Sequence, residues 1–281
     1  MTRNADFTGT TVIITGASQG VGAATARAFA GRGANLVLIA RGQEKLDALA
    51  EELDIGDRVM VAPLDVTDIA GFGKLLARAD EVFGSVDVLV NNAGFHARGK
   101  VESVSAEDIG RMIDVNLKAP LMATRLAMPY LRRSKRPAVI NVASLAGRTP
   151  VPGSATYSAT KFGLRAFGLA LAEELRGGNI KIASVSPGPI DTGFIMEDIE
   201  TVTDLTFSQP ISTADQVAEA IVMLVDNATL DKPMPRISGY LTTISYLFPR
   251  IGRALRPMLE KKGRRTKDRL KKERGQDNSD R

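Results

Sequence analysis

The chain has no cysteine and a single histidine among 281 residues. Without cysteine there can be no disulfide, no thiolate metal ligand and no protein thiol for redox chemistry. No convincing metal site is offered by what remains. Long apolar runs are also missing. Residues 1–10 are polar and lack the apolar core of a secretory leader. Residues 237–251 lean apolar, but Pro249 breaks them and they are too short to cross a bilayer as a helix. The expectation is a cytoplasmic protein. Net charge is scarce too, outside one region. The whole chain carries +5, yet residues 253–281 hold 12 Lys/Arg against 5 Asp/Glu, a net of +7. Residues 1–252 therefore hold 25 against 27, a net of −2. The basic character belongs to a tail, which argues against a nucleic-acid-binding body.

What is present is an apolar fraction of 44%, ample for one α/β domain. Residues 11–14, 35–40, 58–64, 86–90, 138–142 and 180–185 read as apolar strands. Residues 20–31, 44–53, 71–83, 106–131, 155–176 and 213–225 read as helices between and after them. Continuous apolar strands alternating with amphipathic helices predict a doubly wound α/β Rossmann fold. Its central parallel sheet of about seven strands would carry helices on both faces. Such a sheet binds ligands at the carboxyl ends of its strands. The pattern degrades after residue 226.

Directly after the first strand come Thr15, Gly16, Ala17, Ser18, Gln19, Gly20, Val21 and Gly22, opening a helix. Glycines let a backbone turn tightly and approach a pyrophosphate, and a helix N-terminus presents open N–H groups to an anion. The spacing differs from G-x-G-x-x-G, since three residues separate the first two glycines. In this position the turn reads as a dinucleotide-binding loop. An acid at the end of the second strand would hold an NAD ribose. Here Ala40 stands in that place and Arg41 follows. A guanidinium complements a 2′-phosphate, so the expected cofactor is NADP(H), with Ser18 as a further donor. Taken alone, Arg41 also fits a solvated loop cation.

Tyr157 and Lys161 stand at i and i+4 at the start of a long helix and share a face. A nearby ammonium favours the phenolate and would lower the tyrosine pKa toward the working range of a general acid or base. Alone, the pair also fits an ordinary surface helix pair. Ser144 ends the fifth strand, where its hydroxyl could meet a substrate carbonyl. Asn116 is a polar residue in an apolar helical context and alone fits a satisfied core asparagine. His96 near the cleft mouth reads more readily as a solvated loop residue than as a substrate contact.

Together these motifs resemble the short-chain dehydrogenase/reductase family. They are T-G-x-x-x-G-x-G at 15–22, N-N-A-G at 91–94, Asn116, Ser144 with Y-x-x-x-K at 157–161, and P-G at 187–188, covering about residues 7–226. The resemblance implies an oxidoreductase interconverting a ketone or aldehyde and an alcohol by hydride transfer. Tyr157 would be the general acid/base, and Lys161 would bind the nicotinamide ribose. Ser144 would orient the substrate oxygen, and Asn116 would hold a water in a proton relay. It further implies Asn92, Ala93 and Gly94 along the adenine-ribose side of the cleft, and Asp65 and Val66 against adenine. Pro187, Gly188, Ile190 and Thr192 would meet the nicotinamide end. An epimerase or dehydratase of the wider family, and a non-catalytic nucleotide-sensing scaffold recruited by the tail, are the rival readings. The intact Asn116, Ser144, Tyr157 and Lys161 set speaks against the scaffold.

The family's usual terminal strand with an Asp-Gly-Gly close is not found, which weakens the expectation of a homotetramer and leaves a homodimer. The expected organisation is one domain over 1–250 and a tail over 251–281. A substrate loop spans about 193–212, with Phe194, Ile195, Met196, Leu205 and Phe207 suggesting an apolar lid over a hydrophobic carbonyl or alcohol substrate. Ile251, Leu255, Met258 and Leu259 alternate with basic residues at helical spacing, so the 251–272 segment could touch an anionic membrane. Pro257 and Gly263 predict that any helix is short and that the chain is disordered from about Gly263.

Overall fold

The apolar runs of the first half form strands buried on both faces, as a parallel sheet requires. The computed structural model describes residues 5–193 and 199–277. Its main strands are β1 (Thr11–Thr15), β2 (Asn35–Ala40), β3 (Val59–Pro63), β4 (Val88–Asn91), β5 (Ala138–Val142), β6 (Lys181–Pro187) and β9 (Asp231–Met234). They pair in parallel in the order β3-β2-β1-β4-β5-β6-β9. Two short strands, β7 (Ile190–Asp191) and β8 (Ser212–Thr213), pair beside it. The order reverses between β1 and β4, which opens a crevice at their carboxyl ends.

Side chains alternate across each strand, so each strand feeds two cores. Val12 and Ile14 join one core with helices α1 (Gly20–Ala30), α2 (Gln43–Leu53) and α7 (Ala214–Asp226). Ile13 joins the other with α3 (Ile69–Phe83) and α5 (Ala119–Leu131), and α6 (Ala155–Glu174) packs against it. Phe29 and Phe72 are fully buried on opposite faces. Each such side chain contributes roughly 1.5–3 kcal/mol.

Three features depart from the sequence reading. The expected helix over 106–131 is α4 (Ala106–Ile113), a π turn (Asp114–Lys118) and α5, with Asn116 in the π turn. A terminal strand does exist: β9 pairs with β6 although it contains Pro233 and begins on a charge. Proline is tolerated because β9 is an edge strand. The Asp231 carboxylate accepts from Arg148, from Arg165 at 2.5 Å and from Ser186 at 3.1 Å.

The largest departure is the tail. After α8 (Arg236–Leu247), α9 runs unbroken over Pro249–Asp277. It is neither short nor disordered from Gly263. At Gly263 α9 lies tight against the body, since a Cβ there would fall 1.7 Å from the Asp204 carbonyl oxygen. Lys267 is buried and donates to the carbonyls of Glu200 and Val202 at 3.0 and 2.8 Å. Arg264 pairs with Asp204 and Lys271 with Glu200. Among the described residues no helix is long and apolar enough to cross a membrane.

Candidate active site

The loop between β1 and α1 is shaped by what its glycines lack. Gly16 and Gly20 adopt φ of +65° and +55°, in the left-handed region. A Cβ on Gly22 would lie 2.1 Å from the Gly16 carbonyl oxygen, and one on Gly16 would lie 2.9 Å from Ala93 Cα. The loop is also stitched to the segment after β4. Asn92 Nδ2 donates to the carbonyls of Thr15 and Gly16 at 2.8 and 3.1 Å. Thr15 Oγ1 accepts from the Asn92 and Ala93 amides at 2.9 and 3.0 Å. The Gln19 side chain makes no cap at the start of α1. The first turn of that helix therefore faces the crevice as an anion cradle.

The crevice is a cleft of about 1250 Å³ running from this cradle past the ends of β2 and β5 to α8 and α9. Its described lining holds seven cations, Arg41, Lys45, Arg98, Arg111, Lys161, Arg253 and Arg256, against one carboxylate, Asp65. Burial raises the Asp65 pKa, but hydrogen bonds from Thr67 and the charges of Arg41 and Arg111 outweigh it and hold the group below its ordinary value. Arg41 and Lys45 flank Ala40 at the end of β2, and Lys45 donates to Gln19 at 3.3 Å. The residues present fit an anionic dinucleotide. Among the described residues no cluster of three potential metal ligands exists.

At the other side of the cradle, Ser144 leaves β5 and caps the next turn, its Oγ accepting from the Ala146 amide at 3.1 Å. Its hydroxyl also bonds Tyr157, on the first turn of α6. Burial raises the Tyr157 pKa above the ordinary phenol value, and the Ser144 bond and Arg98 charge only partly oppose it. The lowering expected from Lys161 does not appear: desolvation dominates, and what opposes it comes from Ser144 and Arg98. Lys161 is buried, donates to the Val142 carbonyl at 2.9 Å and lies 5.7 Å from the Tyr157 ring centroid. Burial lowers its pKa to about 8. His96 is not a solvated loop residue. It stacks on Tyr157 with ring centroids 4.1 Å apart, and burial, then the charges of Arg98 and Lys161, lower its pKa to about 3.

Asn116 is fully buried behind this layer. Its Oδ1 accepts from the Phe95 amide and its Nδ2 donates to the Phe95 carbonyl, both at 2.7 Å. A Cβ on Gly94 would lie 3.7 Å from Asn116 Oδ1 and 3.8 Å from Lys161 Nζ, so the two groups border one small space.

Comparison with known proteins decides what this arrangement is. Residues 10–203 match the profile of the short chain dehydrogenase family. The chain belongs to the short-chain dehydrogenase/reductase family. It is an oxidoreductase of that family, whose members use NAD(P). It is 34% identical to ketoacyl reductase HetN of Nostoc sp. over 80% of this chain and 78% of that one. It is 32% identical to dehydrogenase/reductase SDR family member 7B of Bos taurus over 83% and 77%. A short-chain dehydrogenase from Burkholderia cenocepacia, solved in complex with NADP, superposes with a TM-score of 0.74 at 27% identity, covering 82% of this chain and 97% of that one. A Brucella melitensis structure of the family gives 0.75 at 30% identity, covering 81% and 95%.

In this short-chain dehydrogenase the expected cofactor residues converge. Gly16, Ser18, Gln19, Gly20, Val21 and Arg41 line the cleft, as do Asp65, Val66, Asn92, Ala93 and Gly94. Pro187, Gly188, Ile190 and Thr192 line it beside Ser144, Tyr157 and Lys161. Gly22 and Asn116 stand behind the lining. Leu205 lines the cleft and Phe207 is buried, whereas Phe194, Ile195 and Met196 lie outside the described residues. Sequence reasoning missed Lys45, Arg98 and Arg111, whose places depend on how loops and helices fold against the cleft. It also missed Leu241, Ile244 and Tyr246 of α8, which form a cleft wall with Leu255 and Leu259 of α9.

Proposed function

We propose that this short-chain dehydrogenase is an NADP(H)-dependent carbonyl reductase, interconverting a hydrophobic ketone or aldehyde and its alcohol. The observation that carries the reading is the meeting of Ser144, Tyr157 and Lys161 beside an anion cradle whose far end is cationic. Bound NADPH would supply the hydride. Arg41, with Ser18 and Lys45 beside it, would hold the 2′-phosphate by charge-assisted hydrogen bonds, and no acid at position 40 repels it.

At the reacting end Ser144 would donate to the carbonyl oxygen and hold it against the Tyr157 hydroxyl. A phenol with a raised pKa stays protonated at neutral pH, which is the form that can deliver a proton to the oxygen as negative charge develops there. Lys161 would hold the nicotinamide ribose hydroxyls and resupply the proton through a water in the space it shares with Asn116. The Asn116 side chain itself is spent on the Phe95 backbone, so it positions the loop facing Tyr157. The apolar wall from α8 and α9 favours an apolar substrate.

The test is NADPH consumption with a panel of ketones and aldehydes, for the wild type and Tyr157→Phe. The expected result is turnover by the wild type and a loss of about 10²–10⁴-fold in the variant, with NADPH binding retained. Equal turnover by both would contradict the assignment.

A further inference from the structure

Helix α8 is inside out. Its small and polar residues Ser238, Gly239 and Thr242 are buried, and a Cβ on Gly239 would fall 2.3 Å from the Pro233 ring. Its large apolar residues point the other way. Ile237, Tyr240 and Leu247 are 60%, 61% and 63% exposed, and Leu241 and Ile244 are exposed between them. Positions 237, 240, 241, 244 and 247 share one helix face. The face continues through exposed Phe248 into Ile251, Leu255 and Met258 on the first turns of α9. A contiguous exposed apolar surface of this kind marks an interaction site.

Its charges identify the partner. Residues 232–259 contain five basic residues, Lys232, Arg236, Arg250, Arg253 and Arg256, and no acid; Arg256 pairs with Glu260 just beyond, so the face keeps an excess of positive charge. A second copy seated on this face would set cations against cations. An anionic lipid surface complements them, and the apolar side chains reach the depth at which an interfacial helix is held. The mouth of the cleft supports the same partner. Leu241 and Ile244 belong at once to the exposed face and to the cleft wall. A protein on this face would block that entrance, whereas a bilayer would lead into it.

We propose that α8 and the start of α9 form a monotopic surface resting on anionic membranes, through which a lipid-dissolved carbonyl substrate enters the cleft. The substrate route rests on the carbonyl-reductase reading, and the membrane contact does not.

The experiment is flotation of the full chain with phosphatidylcholine vesicles, with and without phosphatidylglycerol. Leu247→Glu/Phe248→Glu is the variant, because neither residue lines the cleft. The wild type is expected to float with the anionic vesicles and the variant about tenfold less. The variant should retain turnover of a water-soluble ketone and lose turnover of one partitioned into vesicles. Arg250→Glu/Lys261→Glu removes charge without touching the apolar face. It should float less with the anionic vesicles, which keeps the test open if the first variant fails to fold. Absence of flotation by the wild type, flotation of both variants equal to that of the wild type, or a wild-type dimer that dissociates in Leu247→Glu/Phe248→Glu without vesicle binding would overturn the proposal. Flotation with no turnover of any carbonyl would leave the membrane surface standing and remove the substrate route.

Discussion

Tyr157 and Lys161 sit in one buried layer, and desolvation moves each toward its neutral form. For Tyr157 that form is the proton donor. For Lys161 it is the loss of a charge above about pH 8, so the pH profile has a definite sign. Carbonyl reduction should be level below that value and decline as pH rises through it, measured as kcat/KM with saturating NADPH. His96, with a pKa of about 3, stays neutral across the same range. His96→Phe should therefore leave the shape of the profile unchanged while altering KM for substrate. A profile that loses its bend in His96→Phe would assign the titration to the wrong group. At this scale the motif residues were legible because each is tied to a fixed place in the chain: a strand end, a glycine turn, an i,i+4 pair. His96 was not, because its stacking on Tyr157 joins residues 61 positions apart along the chain.

Elements bear out the strand pattern most closely. The sheet interior is apolar on both faces, and such runs stand out in any sequence. The π turn at Asn116 was invisible because helical periodicity continues on either side of it. β9 was hidden by its charge, which only distant groups satisfy, and by its proline, which only its place at the sheet edge allows. Asp231 links Arg148 after the Ser144 turn, Arg165 on α6 and Ser186 on β6. Asp231→Asn leaves two largely buried guanidiniums without their anion, and is expected to cost about 3 kcal/mol in a denaturation experiment. An unchanged midpoint would show that water satisfies both arginines. The tail was misjudged for a related reason: intrinsic helix breakers were weighed without the contacts that override them. Gly263→Ala should push α9 off Asp204, seen as faster amide exchange over residues 255–272. Unaltered exchange would mean that the helix is held elsewhere.

The whole molecule joins an electropositive dinucleotide cleft to an apolar wall built by its last two helices. The fold class and the cofactor side of the site could be read from the chain because they come from local patterns repeated through the first 226 residues. The substrate side could not, because α8 and α9 acquire their role only by folding back over the cleft. The central claim is that the charged end of the cleft selects NADPH, and paired fluorescence titration with NADPH and NADH tests it most directly. Wild type should bind NADPH more tightly. Arg41→Ala should weaken NADPH by about tenfold or more, the worth of a charge-assisted hydrogen bond, and leave NADH unchanged. Preference for NADH in the wild type, or an equal loss for both nucleotides in Arg41→Ala, would contradict the account.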